Sequence, residues 1–290
     1  MIVIKDSTIS VFKQVLEWRR KRGCKVVVNF SGGKDSTFLL DLSLRFLGPK
    51  NIDAIIYVEV VGNTHPVSIS LARKIIEYYS DVYGDVEDKF HIVKGYYKCV
   101  KHGAEDFFQY MIRHGGITFF KRWCMWKFKV YPMERYLHDV LHYETRLVIH
   151  LSGVKLSDST FRSRYYADSV GKIVRSKPRD VNSMIAFPIL EYTSSEVWSY
   201  LQQVAPDVYT ELRRIYDRFG STLNCVFCPF ASKDAIAKIA ASIEPEWRQK
   251  IIDALQRVET TDAKAEQVKR KWLRILQKPN ESLTKYIDTG

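Results

Sequence analysis

The most constraining stretch of this chain is Lys25–Thr37, which reads KVVVNFSGGKDST. Its first part, Lys25–Phe30, is a β-branched and mostly apolar run of the kind found in strands buried on both faces. Two glycines follow. An apolar helical pattern then runs from about Thr37 to Leu47 and is stopped by Gly48 and Pro49. A strand that turns through glycine into a helix leaves main-chain N–H groups unpaired at the positive end of the helix dipole. Gly32 and Gly33 let that backbone approach an anion without a Cβ in the way. Ser31 and Ser36 add hydroxyls and Lys34 adds positive charge, so the segment reads as a cradle for a polyphosphate. The spacing of a Walker loop is absent, and so is the GxGxxG of dinucleotide folds.

The rest of the chain supplies the layers such a loop needs. A helix is expected over residues 7–22, with Ser7 or Thr8 as cap and Gly23 as stop. Further buried strands are expected at Asp53–Val60, Phe90–Val93 and Arg146–Leu151, with helices over 66–83, 104–114, 126–142, 193–204 and 206–219. This alternation predicts an α/β fold, a parallel sheet covered by helices on both faces. Residues 155–186 are polar, basic and aperiodic, and read as a long loop over the site. From Ser232 onward the chain reads as helical. Val268, Trp272, Ile275 and Leu276 share one face there, ringed by Lys269, Arg270, Lys271 and Arg274. That helix either docks on the core or contacts RNA or DNA. The expected organisation is one domain over residues 1–235, including the N-terminal helix, and a helical C-terminal extension over 236–290.

A formal net charge of +12 points to anionic partners such as nucleotides and nucleic acids, and is equally compatible with a generally basic surface. No apolar run reaches the roughly 18 residues of a membrane span. The opening MIVIKDST lacks the basic-then-apolar order of a secretory signal. A cytoplasmic protein without a membrane partner is the expectation. Five cysteines, an odd number in that setting, argue against a disulfide framework.

The six residues Ser31–Ser36, SGGKDS, resemble the signature loop of PP-loop ATP pyrophosphatases. Other segments follow in order over roughly residues 25–232. They are Arg122-Trp123-Cys124 with Lys129 and Pro132; Gly153-Val154-Lys155 with Asp158, Ser159 and Arg162; Pro188-Ile189 with Tyr192-Thr193 and Glu196-Val197-Trp198; and Asn224-Cys225 with Cys228-Pro229-Phe230. Together they resemble the ordered motifs of the phosphoadenosine phosphosulfate reductase family, which also includes the small subunit of bacterial ATP sulfurylase. Lys155 stands where the family has Arg, and Asp158 where it has Glu. The resemblance implies a HUP-like, adenine nucleotide alpha hydrolase-like fold. It implies nucleotide binding by Ser31, Gly32, Gly33, Lys34, Asp35 and Ser36, with Lys155, Asp158 and Ser159 beside them. Lys34, Asp35 and Arg162 are the catalytic candidates, and Asp35 either positions Mg²⁺ or orients the loop. ATP and Mg²⁺ are the implied cofactors.

Two departures set the chain apart from the reductases themselves. Its loop is intact where theirs is degenerate, and no cysteine follows Cys228 where they carry a C-terminal catalytic thiol. Cys124 lies in one matched segment and Cys225 and Cys228 in another. Three thiolates suit a 4Fe–4S cluster or a zinc ion, with Cys99 or His102 as candidate fourth ligand; persulfide-bearing and structural thiols stay open, and Cys24 reads as packing. The expected activity is adenylyl activation, ATP to AMP plus pyrophosphate, in sulfur transfer, with thiolation of tRNA or DNA as the acceptor chemistry. The alternatives are a sulfate-activating or sulfonucleotide-reducing enzyme, and a non-catalytic nucleotide-binding accessory protein. ATP, a nucleic-acid substrate, an unidentified sulfur donor and a second copy in a homodimer are the expected partners.

Overall fold

In the computed structural model, which describes residues 3–116, 122–175, 182–260 and 262–278, six strands share one sheet. They are β1 (Lys25–Phe30), β2 (Ala54–Val60), β3 (Phe90–Gly95), β6 (Leu147–Leu151), β7 (Ile173–Arg175) and β8 (Asn182–Ala186). The remaining two, β4 (Tyr97–Cys99) and β5 (Gly103–Glu105), form a separate antiparallel pair. The sheet order is β3-β2-β1-β6-β8-β7. β1 is central and pairs in parallel with β2 and β6, β6 pairs in parallel with β8, and β7 closes the edge antiparallel to β8. The sheet is therefore mostly parallel and flanked by helices, as the alternation predicts.

The chain divides into two compact units. The first comprises Met1–Val58, Ser70–Val93 and Met133–Leu212. Alternate strand residues face one side, so Ala54 and Ile56 join Val27, Val93 and Val148 in one cluster, covered by Leu137 of α6 (Tyr131–Asp139). Burying each of the valine, isoleucine and leucine side chains stabilises by about 1.5–3 kcal/mol. α1 (Asp6–Arg22) packs on β1 and on α2 (Lys34–Leu47), and α2 packs on α8 (Ser194–Val204). Neither Ser7 nor Thr8 caps α1. It starts one residue earlier, after Lys5, and the two hydroxyls reach Glu191 and the Pro188 carbonyl instead.

The second unit comprises Glu59–Ile69, Lys94–Pro132 and Arg213–Gly290. It holds the β4–β5 pair, the short helices α4 (Phe107–Tyr110) and α5 (Trp123–Met125), and the tail helices α10 (Lys233–Ser242), α11 (Pro245–Arg257) and α12 (Ala263–Gln277). The apolar face of α12 is buried, and Trp272 lies 4.9 Å from the ring of Phe227. For that face, docking is the reading that fits. No helix among the described residues is long and apolar enough to cross a membrane.

Two expectations are corrected. The expected loop over 155–186 contains two short 3-10 turns, α7 (Thr160–Tyr166), β7 and β8, while residues 176–181 lie outside the described set. Polar residues on a short exposed helix and a three-residue strand leave no periodicity to read. The helices expected at 104–114 and 126–142 are broken by π-type turns at Met111–Gly115 and Trp126–Val130, and the first begins only after β5, where Asp106 and Gln109 form a capping box.

Candidate active site

Ser31, Gly32 and Gly33 lie between β1 and α2, and Lys34, Asp35 and Ser36 open the first turn of α2. Gly32 has φ +70°, a left-handed conformation that a side chain would strain. Gly33 is the N-cap of α2 and supplies no side-chain cap, so first-turn N–H groups remain for an anion. Ser36 has an internal task. Its Oγ accepts the Ser31 N–H at 3.1 Å and donates to the Gly33 carbonyl at 2.9 Å, which closes the loop from inside. Ser31 Oγ lies 3.0 Å from Ser36 Oγ. Ser36 therefore shapes the cradle, while Ser31 sits at its rim.

A chain of alternating charges joins this loop to the second motif. Lys34 Nζ donates to Asp35 Oδ2 at 2.8 Å, and the fully buried Lys155 donates to Asp35 Oδ1 at 2.6 Å. Lys155 also meets Asp158 Oδ1 at 2.8 Å, and Arg162 pairs with Asp158 Oδ2. Among the described pairs, this chain sets three cations against two carboxylates. Burial pushes the Asp158 carboxyl up, but the hydrogen bond from Lys155 and the charges of Lys155 and Arg162 outweigh it and hold the group below its ordinary value. The two segments pack closely: a Cβ at Gly153 would lie 3.3 Å from the Asp35 carbonyl. Ser159 serves locally, its Oγ accepting the Arg162 N–H as the cap of α7.

Sequence reasoning passed over a polar row beneath the loop. His150 on β6 is buried between Asn29 of β1 and Ser183 of β8. Its Nδ1–H donates to Asn29 Oδ1 at 3.2 Å, and the Ser183 hydroxyl, 3.4 Å away, donates to Nε2. Burial pushes the imidazole down to about 4, so it is neutral at pH 7.

In the second unit, Cys124, Cys225 and Cys228 are half-buried free thiols and electrostatic neighbours. Burial first, and then the charge of Cys225, push the Cys124 thiol up. The same causes push Cys228 up to about 11, against a lowering pull from Lys129. Lys129 Nζ donates to Asn224 Oδ1 at 2.6 Å. Cys24 is buried, with its thiol pushed up mainly by burial, as packing requires. The side chain of Cys99 lies outside the described set, and the His102 ring sits 6.4 Å from that of His114.

The turn bearing Cys225 and Cys228 hangs from Asn63, Thr64 and His65, three buried residues in the turn that follows β2. Asn63 Oδ1 accepts the Phe227 N–H at 2.8 Å, and its Nδ2 donates to the Phe227 carbonyl at 3.0 Å. The Val226 N–H donates to the Asn63 carbonyl at 2.8 Å. Thr64 Oγ1 donates to the Asn224 carbonyl at 2.8 Å, and the His65 N–H to the Leu223 carbonyl at 3.1 Å. His65 Nε2 lies 2.7 Å from Glu244 Oε2. The available signal was a Gly-Asn-Thr-His cluster at a strand's carboxyl end, where parallel sheets place their sites.

Neither implied metal finds a ready ligand set. Each oxygen of Asp35 and Asp158 already meets a cation, so Mg²⁺ would have to share those oxygens with Lys34, Lys155 and Arg162. Of its two candidate roles, Asp35 thus has the contacts of a loop-orienting residue. The three thiols have the softness that iron or zinc prefers. Among the described residues, however, no three His, Cys, Asp or Glu side chains come together closely enough to hold a metal ion.

The family model for the phosphoadenosine phosphosulfate reductase domain matches residues 25–229. An uncharacterized protein of Methanocaldococcus jannaschii is 24% identical over 256 residues, 88% of this chain and 53% of that protein. The chain thus spans about half the length of that relative. Among solved structures, the NH3-dependent NAD synthetase from Campylobacter jejuni in complex with the nitrate ion is similar at 12% identity and TM-score 0.43, covering 96% of both chains. The U34-tRNA thiolase NcsA from Methanococcus maripaludis with its 4Fe–4S cluster is similar at 19% identity and TM-score 0.42, covering 94% of this chain and 78% of that one. With a family match over most of its length, the chain belongs to the phosphoadenosine phosphosulfate reductase domain family.

Proposed function

We propose that this chain is an ATP-using, adenylyl-transferring enzyme that activates an acceptor for sulfur transfer, with RNA or DNA as the acceptor class. The observation that carries the reading is Lys155, buried and bridging Asp35 of the intact phosphate loop to Asp158 of the second motif. That bridge rigidifies the loop and leaves Lys34 and Arg162 at its two ends. Preorganised charge of this kind stabilises a leaving polyphosphate without reorganisation during reaction.

In the proposed step an acceptor oxygen forms a bond to the α-phosphorus. The bond from that phosphorus to the bridging oxygen breaks, and pyrophosphate leaves with its charge facing the α2 amides and Lys34. The acceptor, now bearing AMP, is open to attack by a sulfur nucleophile, with AMP as the leaving group. Cys124, Cys225 and Cys228 are the groups of this chain with the chemistry to carry that sulfur.

The test is pyrophosphate release from ATP with RNA, DNA, sulfate or no acceptor present. Release stimulated by nucleic acid, and cut strongly by Lys34→Ala with weaker ATP binding, is the expected result. ATP binding without pyrophosphate release under every acceptor would sink the reading. So would a Lys34→Ala variant with unchanged affinity and rate.

A further inference from the structure

α7 carries residues of two chemistries. Through Arg162 it joins the charge chain that ends on the phosphate loop. Next to Arg162 it exposes Phe161, at 64%, and Tyr165, at 62%. One helical turn apart, their rings are stacked with centroids 5.5 Å apart and planes 13° apart. The pair is anchored. Tyr165 meets Tyr166 edge-on at 4.8 Å, and Tyr166 packs at 4.8 Å on Phe187, which belongs to the buried core. With Thr160 and Arg164 these rings line an open cavity of about 380 Å³.

Rigid, exposed aromatic faces beside a guanidinium match one ligand chemistry closely. An unpaired base has a π-face to stack and a phosphate one bond system away for the arginine. A duplex hides its base faces, so it cannot use such a platform. RNA commonly presents unpaired bases in loops and bulges, and a protein of net charge +12 attracts its backbone. We propose that Phe161, Tyr165 and Arg164 form the platform on which an unpaired nucleotide of a single-stranded RNA segment stacks. The inference deepens the proposed function and rests on its nucleic-acid acceptor: the same short helix that carries Arg162 toward the phosphate loop holds the acceptor strand.

The test titrates the full chain, without ATP, into a labelled single-stranded RNA oligonucleotide, its duplex, and single-stranded DNA of the same sequence. The expected result is tighter binding of the RNA strand than of the duplex or the DNA. Phe161→Ala with Tyr165→Ala should weaken strand binding roughly 5- to 150-fold, the range for one stacked base. Phe161→Trp should retain it. Arg164→Glu, which keeps both rings, should weaken strand binding and lower the salt slope by about 1. This arm decides the matter if the double variant does not fold. Strand affinity unchanged in both the ring and the arginine variants overturns the proposal. DNA bound as tightly as RNA overturns its choice of strand. A change in sedimentation with strand affinity intact identifies the rings as a surface for a second copy and overturns it too. Because binding is read without ATP, failure here leaves pyrophosphate release to be judged by itself, and the reverse also holds.

Discussion

The side-chain amide of Asn63 holds the backbone of Phe227 at both ends, accepting its N–H at 2.8 Å and donating to its carbonyl at 3.0 Å. Two bonds from one buried side chain fix the two peptide units that flank Phe227, the second of which leads into Cys228. Asn63→Ala removes both and leaves a buried N–H and a buried carbonyl unpaired. The expected loss of stability is about 2–4 kcal/mol, read by urea unfolding. Faster alkylation of Cys228 should accompany it. Unchanged stability and thiol reactivity would mean the turn is held elsewhere.

Lys155 is the second point of leverage. Lys155→Met leaves Asp35 and Asp158 without their shared ammonium group. Removing one partner of a buried pair is strongly destabilising, and the partial exposure of both acids reduces the effect to about 2–3 kcal/mol. Adding Asp158→Asn should restore part of it. Urea unfolding of the single and double variants checks this, and no recovery in the double variant would count against the bridge.

His150 makes stability fall with acid. Its folded pKa of about 4 lies below the ordinary value of 6.5, so the unfolded chain takes up the proton first. The contribution is fully present above pH 6.5 and declines as pH falls toward 4, by about 3 kcal/mol in total. His150→Gln should flatten that part of the profile. Urea unfolding at pH 7 and pH 5 distinguishes the two, and parallel profiles for both proteins would refute the assignment.

Cys228 should be slow to alkylate at neutral pH. With its thiol pushed up to about 11, the thiolate fraction and the rate rise about tenfold per pH unit until that value is approached. Lys129→Ala removes the nearby cation that lowers it and should shift the profile to higher pH. Mass spectrometry of the modified peptide follows the rate, and a plateau near pH 8 would contradict the upward push that burial gives this thiol.

The central strands were legible because buried parallel strands are written as continuous β-branched runs, as in Lys25–Phe30 and Leu147–Leu151. β8 was not, since Asn182–Ala186 is short and carries polar residues, and its partner β7 spans only three positions. Both motifs of the candidate site could be read along the chain. Their union through Lys155 could not, because which lysine of a basic segment becomes buried depends on packing across the fold. Ser36 shows the same limit. Its hydroxyl was expected to face the ligand, and its hydrogen bonds turn inward. Asn63, Thr64 and His65 were missed because three polar residues after a strand look like an ordinary turn until the segment they hold, 160 or so positions later, is in place.

The suspension of the Cys225–Cys228 turn from main-chain groups has one further consequence. None of its anchoring bonds to Asn63, Thr64 and His65 involves sulfur. Alkylation or oxidation of either thiol would therefore break none of these fastenings, and the turn is expected to keep its backbone shape through such a change.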